Sequence, residues 1–306
     1  MVAGLAGQRV AVTGAGGFIG THVRSVFAAQ GASLLLLGTA QDRGLPVRGG
    51  DSMWLPGVVA GDPDQLARAL STCSALVHLA WVRPPGGGTL RQLRSELEEN
   101  VNATANLLRA AAAAGVSHVT FASTSQVYPV TGVNRETGPV QPQNPYAASK
   151  LMQEALVRAW AQETGNPSAV VRLATVYGPG EPARRAVPRW ILAGLEGRPL
   201  QVDGDGSQTF SPVFAGDVAG TLGTVVARRA DGIFNLAGEP ATVLSVAGLV
   251  ARLCGGRDIA LGVSPGRQTA CCDTSRAASL LAFRPTPLET GLAQEIAWLK
   301  GRTGQG

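Results

Sequence analysis

A tyrosine and a lysine lie four residues apart, at Tyr146 and Lys150. On a helix this spacing places the phenol and the ammonium on the same face, one turn apart. A free tyrosine has a pKa of about 10, so it needs a nearby cation to exchange protons at neutral pH. An isolated pair of this kind is more often a solvated part of an amphipathic helix. The pair therefore predicts proton transfer only if other functional groups join it.

Three hydroxyl groups follow one another at Ser123, Thr124 and Ser125, directly after a short apolar segment that is predicted to be a strand. In a parallel sheet, side chains at the carboxyl end of a strand face the ligand-binding crevice. Thr124 is therefore expected to hydrogen-bond a substrate oxygen. We predict that Tyr146, Lys150 and Thr124 form the catalytic group.

A glycine-rich turn covers residues 13–20, where the sequence T-G-A-G-G-F-I-G places glycines at Gly14, Gly17 and Gly20. This spacing lets the backbone approach a pyrophosphate while the following helix supplies free N–H groups and a partial positive charge. A plain strand-to-helix turn is the alternative in a chain with 40 glycines. Because the turn follows the first predicted strand, we predict a dinucleotide-binding turn that includes Phe18 and Ile19.

The elements that would position these groups alternate along the first part of the chain. Strands are predicted over residues 9–13, 33–37, 58–60, 75–79, 119–122 and 169–173, and helices over 18–30, 64–70, 90–114 and 146–163. This alternation predicts an α/β fold, a Rossmann-type doubly wound parallel sheet. Prolines interrupt the pattern after residue 177, which predicts a smaller C-terminal substrate lobe. The predicted dinucleotide-binding domain is 1–174 with 207–237, and the predicted lobe is 175–206 with 238–306.

Composition narrows the class of protein. A chain of 306 residues with 45% hydrophobic and 15% charged residues can bury a core and a smaller lobe. Without a basic-then-apolar leader or an apolar stretch of roughly 20 residues, it is expected to be cytoplasmic and away from membranes. The net charge of +5 is spread along the chain, which suits an anionic small molecule better than a nucleic acid. The four cysteines lack C-x-x-C spacing and are expected to be reduced, and no metal site is predicted.

The ordered series of motifs resembles the extended short-chain dehydrogenase/reductases, the NAD-dependent epimerase/dehydratase family, which mostly modifies nucleotide sugars. Besides the glycine turn and Y-x-x-x-K, the resemblance rests on residues 61–62, 78–80, 101–102, 123–128, 172–180, 204–209, 217–219 and 234–236. It covers nearly the whole chain. The resemblance implies that Tyr146 is the acid/base, that Lys150 binds the nicotinamide ribose and lowers the tyrosine pKa, and that Thr124 positions the reacting oxygen.

The same resemblance implies where NAD or NADP and the substrate bind. Asp62 is expected to meet the adenine, and Leu79 and Ala80 to lie along the cofactor. Substrate contacts are expected at Ser125 and Thr175. Asn102 is given only a supporting role, because such an asparagine is more often a helix cap or a core hydrogen-bonding group.

A departure from the family concerns the choice of cofactor. Members that use NAD usually carry an acid at the end of the second strand, where this chain has Gly38. A carboxylate there accepts hydrogen bonds from the ribose hydroxyls and repels a 2′-phosphate. Because this carboxylate is absent, we expect NADP at least as much as NAD. Arg43 or Arg24 would then be the positive partner of the 2′-phosphate.

Two further departures concern the reaction. Dehydratases of the family carry an Asp-Glu pair where this chain has Ser125 and Gln126, so dehydration is disfavoured. Nucleotide-sugar enzymes generally have a diphosphate-binding arginine where this chain has Phe210. Arg267 matches the second such arginine of the family, although a solvated loop arginine explains it equally well.

The expected activity is NAD(P)-dependent hydride transfer at the 4-position of a nucleotide-activated sugar, by a 4-epimerase or a 4-ketoreductase. The sequence does not separate these two. Reduction of a non-sugar carbonyl, which Phe210 favours, is an alternative. A non-catalytic, cofactor-binding regulatory protein is another, and the intact Tyr146, Lys150 and Thr124 argue against it. A homodimer is expected, because the long alanine-rich helices at 90–114 and 146–163 commonly pair across a two-fold axis in this family.

Overall fold

The computed structural model describes residues 4–38, 52–56, 63–82, 93–130, 132–263 and 271–303. Within these ranges the strands and helices alternate through the first half of the chain. The strands are β1 (Arg9–Thr13), β2 (Ser33–Gly38), β3 (Met53–Pro56), β4 (Ala75–His78), β5 (His118–Thr124), β6 (Val133–Asn134), β7 (Ser168–Leu173), β8 (Thr175–Tyr177), β9 (Leu200–Val202), β10 (Thr209–Phe210), β11 (Pro212–Phe214), β12 (Gly232–Leu236), β13 (Ala241–Thr242), β14 (Ile259–Leu261) and β15 (Cys271–Cys272).

Ten α-helical segments lie in the same ranges, together with two helical turns of other types. The α-helices are α1 (Phe18–Ala29), α2 (Pro63–Leu70), α3 (Leu93–Ser95), α4 (Asn102–Ala113), α5 (Pro145–Thr164), α6 (Ala186–Leu195), α7 (Ala215–Arg228), α8 (Val243–Leu253), α9 (Ser275–Leu281) and α10 (Leu288–Thr303). A π-helical turn (Glu96–Val101) joins α3 to α4, and a 3-10 turn (Ser125–Val127) follows β5. None of the described helices is both long and apolar enough to cross a membrane.

Seven strands of the described chain form one parallel sheet in the order β12-β7-β5-β4-β1-β2-β3. The chain enters at the centre of this sheet and winds outward in both directions. The strand order reverses between β1 and β4, and such a reversal opens a crevice at the carboxyl ends of the strands. The predicted α/β fold with a doubly wound parallel sheet is confirmed.

Apolar side chains on both faces of the strands hold the sheet between two helical layers. Leu34 and Leu36 of β2 face one core, which includes residues of α1 and α7, whereas Leu35 and Leu37 face a second core with residues of α2, α4 and α5. All four leucines are fully buried. Burial on both faces explains why β2 is a continuous apolar run instead of an alternating pattern.

A third apolar cluster forms the smaller C-terminal part. It brings together α6, α8 and α10, with Trp190, Val246 and Leu292 among its buried side chains. Residues 232–236 return to the large sheet as β12, and α9 packs against that strand. The exact residue limits of the two predicted domains remain a prediction.

Two elements differ from the sequence-based expectation. The edge strand β3 pairs Met53–Pro56 with β2, while residues 58–60, the predicted third strand, lie outside the described part. A single helix is predicted over 90–114, but the π-helical turn interrupts it. Such turns place an extra residue in the helix and occur frequently at functional sites.

Candidate active site

The glycine turn between β1 and α1 packs so closely against the chain's own backbone that its three glycines leave little room for side chains. Gly14 has a φ of +66°, and a Cβ there would lie 2.8 Å from the backbone nitrogen of Ala80. A Cβ on Gly17 would lie 3.2 Å from the carbonyl oxygen of Gly14, and one on Gly20 would collide with that oxygen. Gly17 is the N-cap of α1, and glycine has no side chain to cap the first helical N–H groups. The turn thus offers the close backbone approach and positive helix end that a pyrophosphate needs.

The first residues of α1 connect this turn to the C-terminal part. Phe18 and Ile19 are half-buried against the first core. The Phe18 ring lies edge-on to His22 with 5.6 Å between the ring centres. His22 Nε2 lies 2.7 Å from the carbonyl oxygen of Pro179, to which it must donate its hydrogen. These contacts fix the helix against the loop that follows β8.

A buried threonine and histidine set the end of β4 beside the glycine turn. The hydroxyl oxygen of Thr13 accepts hydrogen bonds from the N–H groups of Leu79 at 3.2 Å and Ala80 at 3.1 Å. Its own hydrogen points to Nδ1 of His78 at 2.6 Å, which leaves Nε2 of His78 to donate to Thr104 at 2.9 Å. Burial, reinforced by the charge of Lys150, lowers the pKa of His78 to about 3. His78 is therefore a neutral structural link.

Tyr146 lies in the first turn of α5, whose start is strongly encoded in the sequence. Asn144 is the N-cap, and its side-chain oxygen accepts a hydrogen bond from the N–H of Ala147 at 2.8 Å. Pro145 takes the first helical position, where its missing N–H costs nothing. Tyr146 is half-buried, and its ring packs edge-on against Trp81 with 4.7 Å between the ring centres.

Lys150 lies one turn further along α5 and is almost fully buried. Its ammonium donates a hydrogen bond to the carbonyl oxygen of Ala122 at 2.9 Å and lies 4.6 Å from the centre of the Phe121 ring. Burial lowers the pKa of Lys150 to about 8, although the charges of Glu96 and Glu154 raise it. The ammonium is thus held at the strand that carries the predicted catalytic threonine.

Thr124 ends β5, two residues beyond the carbonyl that Lys150 binds. Its hydroxyl oxygen accepts a hydrogen bond from the N–H of Gln126 at 3.2 Å and so begins the 3-10 turn. Ser125 is buried directly after it. The structure therefore brings Thr124 and the Tyr146–Lys150 helix to one end of the sheet, while their catalytic roles remain predictions.

The other predicted residues of the described part follow the carboxyl ends of parallel strands. Gly38 ends β2, Leu79 and Ala80 follow β4, and Thr175 follows β7 after one residue. All of these strand ends lie along one edge of the sheet, where α/β proteins bind ligands. Three predicted contacts, Arg43, Asp62 and Arg267, lie outside the described residues.

A buried asparagine, Asn100, lies two residues before Asn102, whose supporting role stays a prediction. Asn102 is exposed at the start of α4, whereas Asn100 is buried in the π-helical turn. The side-chain oxygen of Asn100 accepts a hydrogen bond from the N–H of Val82 at 2.8 Å, and its side-chain nitrogen donates to the carbonyl oxygen of Val82 at 3.0 Å. Sequence analysis singled out Asn102 and not Asn100, because the two asparagines lie only two residues apart in the same motif.

A buried polar chain behind Thr124 was also missed by sequence reasoning. Glu154 of α5 forms two hydrogen bonds with Arg172 of β7, at 3.0 and 2.7 Å. Arg172 also donates to the Tyr128 hydroxyl at 2.8 Å, and that hydroxyl donates to Asn235 of β12 at 2.8 Å. The Ser123 hydroxyl donates to Glu154. This chain ties α5 to three strands and fixes the helix that carries Tyr146 and Lys150.

Phe210, at the position of a family diphosphate-binding arginine, packs on the apolar cluster of the C-terminal part. It pairs with Ala241 through β10 and β13 and is half-buried. This placement gives Phe210 a packing role in the lobe, and the alternative of a non-sugar carbonyl substrate stays a prediction.

Comparison with known proteins extends over most of the chain. The model of the NAD dependent epimerase/dehydratase family matches residues 10–237. A dTDP-4-dehydro-6-deoxy-D-allose reductase from Streptomyces bikiniensis is 29% identical, with 97% of this chain and 98% of that protein aligned. A UDP-glucuronate 4-epimerase from Thermodesulfobacterium geofontis is also 29% identical, over 74% of this chain and 72% of that protein.

A solved structure has the same architecture. MoeE5 in complex with UDP-glucuronic acid and NAD superposes with a TM-score of 0.84 and 31% sequence identity. The superposition covers 96% of this chain and 99% of that chain. The similarity thus includes the C-terminal part as well as the sheet.

Proposed function

Because the chain belongs to the NAD dependent epimerase/dehydratase family, we propose that it transfers hydride at the 4-position of a nucleotide-activated sugar. The observation that carries this proposal is the hydrogen bond that joins the helix of Tyr146 and Lys150 to the strand of Thr124. Lys150 binds the backbone of β5, the strand that ends in Thr124. Tyr146 lies one helical turn before Lys150 in α5. The glycine turn follows β1, two strands away in the sheet.

The residues have distinct tasks in this reaction. The glycine turn would hold a nicotinamide dinucleotide, which when bound would supply or accept the hydride. When a ketone is reduced, the Tyr146 phenol gives its proton to the carbonyl oxygen, so that one hydride and one proton make the alcohol. In the reverse direction the phenolate takes the proton back. Lys150 stabilises the phenolate with its charge, and the Thr124 hydroxyl hydrogen-bonds the reacting oxygen.

Of the two outcomes, we favour ketoreduction. Gly38 removes the acid that selects NAD, and NADPH is the usual reducing cofactor. The S. bikiniensis relative, aligned over nearly its whole length, is named as a reductase of a 4-keto sugar. Epimerisation is the second candidate, supported by the name of the T. geofontis relative. Dehydration is disfavoured because Gln126, in place of a family acid, bonds the helix cap Asn144 at 3.1 Å.

The cofactor is NAD or NADP, and the adenosine end decides between them. Gly38 ends β2 without a side chain that could bind the ribose hydroxyls or repel a 2′-phosphate. Arg24 of α1 is buried and its guanidinium lies 5.3 Å from the centre of the Trp54 ring on the neighbouring edge strand. Together with Arg43, it is the proposed source of positive charge for NADP.

We also propose a cytoplasmic homodimer. All four cysteines are free thiols, which suits a reducing compartment. Alanines occupy exposed positions on both long helices, among them Ala105 of α4 and Ala155 and Ala159 of α5. Small residues of this kind let helices approach closely across a two-fold axis. Sedimentation that gives only a monomer at micromolar concentration would contradict the dimer.

The function is tested with the purified protein, both reduced cofactors and a panel of nucleotide 4-keto-6-deoxysugars. Loss of NAD(P)H absorbance with formation of the 4-hydroxy product, identified by NMR, is the expected result. Tyr146→Phe is the matched control, and its turnover should fall by roughly a hundredfold or more with little change in cofactor affinity. Interconversion of UDP-hexoses without net cofactor oxidation would instead establish the epimerase. A wild type that acts on no nucleotide sugar would overturn the proposal.

A further inference from the structure

One buried carboxylate, Glu96, lies behind the predicted catalytic pair. A single oxygen of this group, Oε2, accepts three hydrogen bonds. The donors are the indole N–H of Trp81 at 3.1 Å, the amide of Asn100 at 3.0 Å and the hydroxyl of Ser149 at 2.9 Å. Only 3% of Glu96 is exposed, so water contributes little to its solvation and these donors must do so.

Two of the three donors lead directly to Tyr146. The Trp81 ring meets the phenol ring edge-on, at an interplanar angle of 63°. The single hydroxyl hydrogen of Ser149 is shared between Glu96 and the backbone carbonyl oxygen of Tyr146, each 2.9 Å from the Ser149 oxygen. Glu96 therefore hydrogen-bonds two neighbours of Tyr146. Trp81 packs against the phenol ring, and Ser149 contacts the backbone.

The π-helical turn supplies the rigidity that such a contact needs. Glu96 begins the turn, and Asn100 lies four residues later within it. The Asn100 amide N–H groups donate to Glu96 and to the carbonyl oxygen of Val82, the residue after Trp81. The Asn100 amide oxygen accepts from the N–H of Val82. Both the indole ring and the backbone beside it are thus fixed to the same turn.

We propose that Glu96 is a positioning residue, which acts through Trp81 and Ser149 to hold the phenol of Tyr146 in the orientation required for proton transfer. Glu96 does not touch the reacting atoms in this role. The catalytic consequence rests on the proposed function, whereas the positioning itself is a property of the free protein. Loss of the hydrogen-bond acceptor at this position should lower kcat and leave KM nearly unchanged, because the substrate contacts remain.

The positioning is tested first without any substrate. The chain has three tyrosines, Tyr128, Tyr146 and Tyr177, so labelling with 3-fluorotyrosine gives three fluorine signals that Tyr-to-Phe variants assign. In Glu96→Ala the Tyr146 signal should move or broaden, while the other two stay in place. Glu99→Gln, an exposed carboxylate of the same turn, is the matched control and should change none of them.

A conservative variant separates geometry from charge. In Glu96→Gln the side-chain carbonyl can accept the same hydrogen bonds, so the Tyr146 signal should return close to its wild-type position. Trp81→Phe keeps an aromatic ring but loses the N–H that binds Glu96, so the Tyr146 signal should broaden again. This variant also serves if Glu96→Ala fails to fold in a thermal unfolding measurement.

Turnover then links position to catalysis. Glu96→Ala is expected to reduce kcat about tenfold or more with KM within about twofold, and Glu96→Gln to restore most of the loss. An unchanged Tyr146 signal in Glu96→Ala and Trp81→Phe, or a Glu96→Gln variant as impaired as Glu96→Ala, would overturn the proposal. A wild type without cofactor binding or turnover contradicts the proposed function instead, and the fluorine signals still decide whether Glu96 positions the phenol.

Discussion

The ammonium of Lys150 donates a hydrogen bond to the backbone carbonyl of Ala122 at 2.9 Å, which joins the helix of the predicted acid/base to the strand that ends in Thr124. The bond places a cation in a buried position. The charge state of the Lys150 ammonium is therefore sensitive to pH in the range where enzymes work.

This sensitivity predicts the basic limb of the pH profile. Burial lowers the pKa of Lys150 to about 8, and the carboxylates of Glu96 and Glu154 only partly offset the effect. The charged form dominates below this pKa, so kcat/KM should fall as the pH rises through about 8. His78, which also lies near Lys150, has a pKa of about 3 and stays neutral throughout this pH range. A profile of kcat/KM that stays flat to about pH 10 would contradict the assignment, since this ratio reports the free enzyme.

The glycine turn predicts a loss of cofactor binding when a single methyl group is added. In Gly14→Ala the backbone would have to keep a φ of +66° with a Cβ 2.8 Å from the nitrogen of Ala80. The turn must shift, so the NAD(P) dissociation constant measured by calorimetry should rise at least tenfold. Gly220→Ala is the control, because a Cβ there has nothing within 4 Å and lies in α7. That variant should bind cofactor normally and gain roughly 0.5–1 kcal/mol of stability.

The end of β2 predicts the cofactor preference. NADP(H) should bind no worse than NAD(H), because Gly38 has no carboxylate to repel the 2′-phosphate. Gly38→Asp should shift the preference toward NAD. Arg43→Ala should weaken NADP(H) selectively by about ten- to a hundredfold, equivalent to roughly 1.5–3 kcal/mol. Calorimetric titration of both cofactors into the three proteins is the measurement. Strong wild-type preference for NAD with no response to Arg43→Ala would refute this assignment.

Two buried carboxyl groups beside Gly178 predict how stability depends on pH. Burial and the charge of Glu181 raise the pKa of Glu295 to about 8, and burial raises the pKa of Glu181 to about 7 despite its ion pair with Arg185. Their unfolded pKa values are about 4.3, so the stabilisation from bound protons is complete below that pH and disappears as the pH rises through 7 to 8. The free energy of unfolding should therefore decrease between about pH 5 and 9.

Glu295→Gln tests this dependence. The amide stays neutral, so the variant should be more stable than the wild type at about pH 9 and should lose less stability between pH 5 and 9. Glu163→Gln, an exposed site on α5, should leave the curve unchanged. Urea denaturation at several pH values provides the free energies. Parallel curves for wild type and Glu295→Gln would show that Glu295 does not titrate as expected.

The parts of the site that local sequence encodes were predictable. The strands β1 and β2, the glycine turn and the start of α5 each depend on residues close together in the chain, such as Asn144 and Pro145 before Tyr146. Glu96 was not predictable in the same way. It belongs to an acidic run that is typical of a solvated helix, and the residues that bury it, Trp81 and Ser149, lie 15 and 53 positions away.

The polar chain behind Thr124 was unpredictable for the same reason. Glu154 and Arg172 are 18 residues apart, and Asn235 lies 107 residues after Tyr128. No periodic pattern connects residues at such distances. Their pairing follows from the strand order of the sheet, which a single sequence predicts only in outline.

The place of β12 at the edge of the sheet has a consequence for how the chain folds during its synthesis. When β7 has left the ribosome, the next strand of the sheet is still about 60 residues from being made, and one side of β7 exposes unpaired backbone groups. The Tyr128 hydroxyl also lacks Asn235, its hydrogen-bond acceptor, until residue 235 has been made. A nascent chain that ends before residue 232 therefore leaves one edge of β7 unpaired, and the sheet is complete only after residues 232–236 have been made.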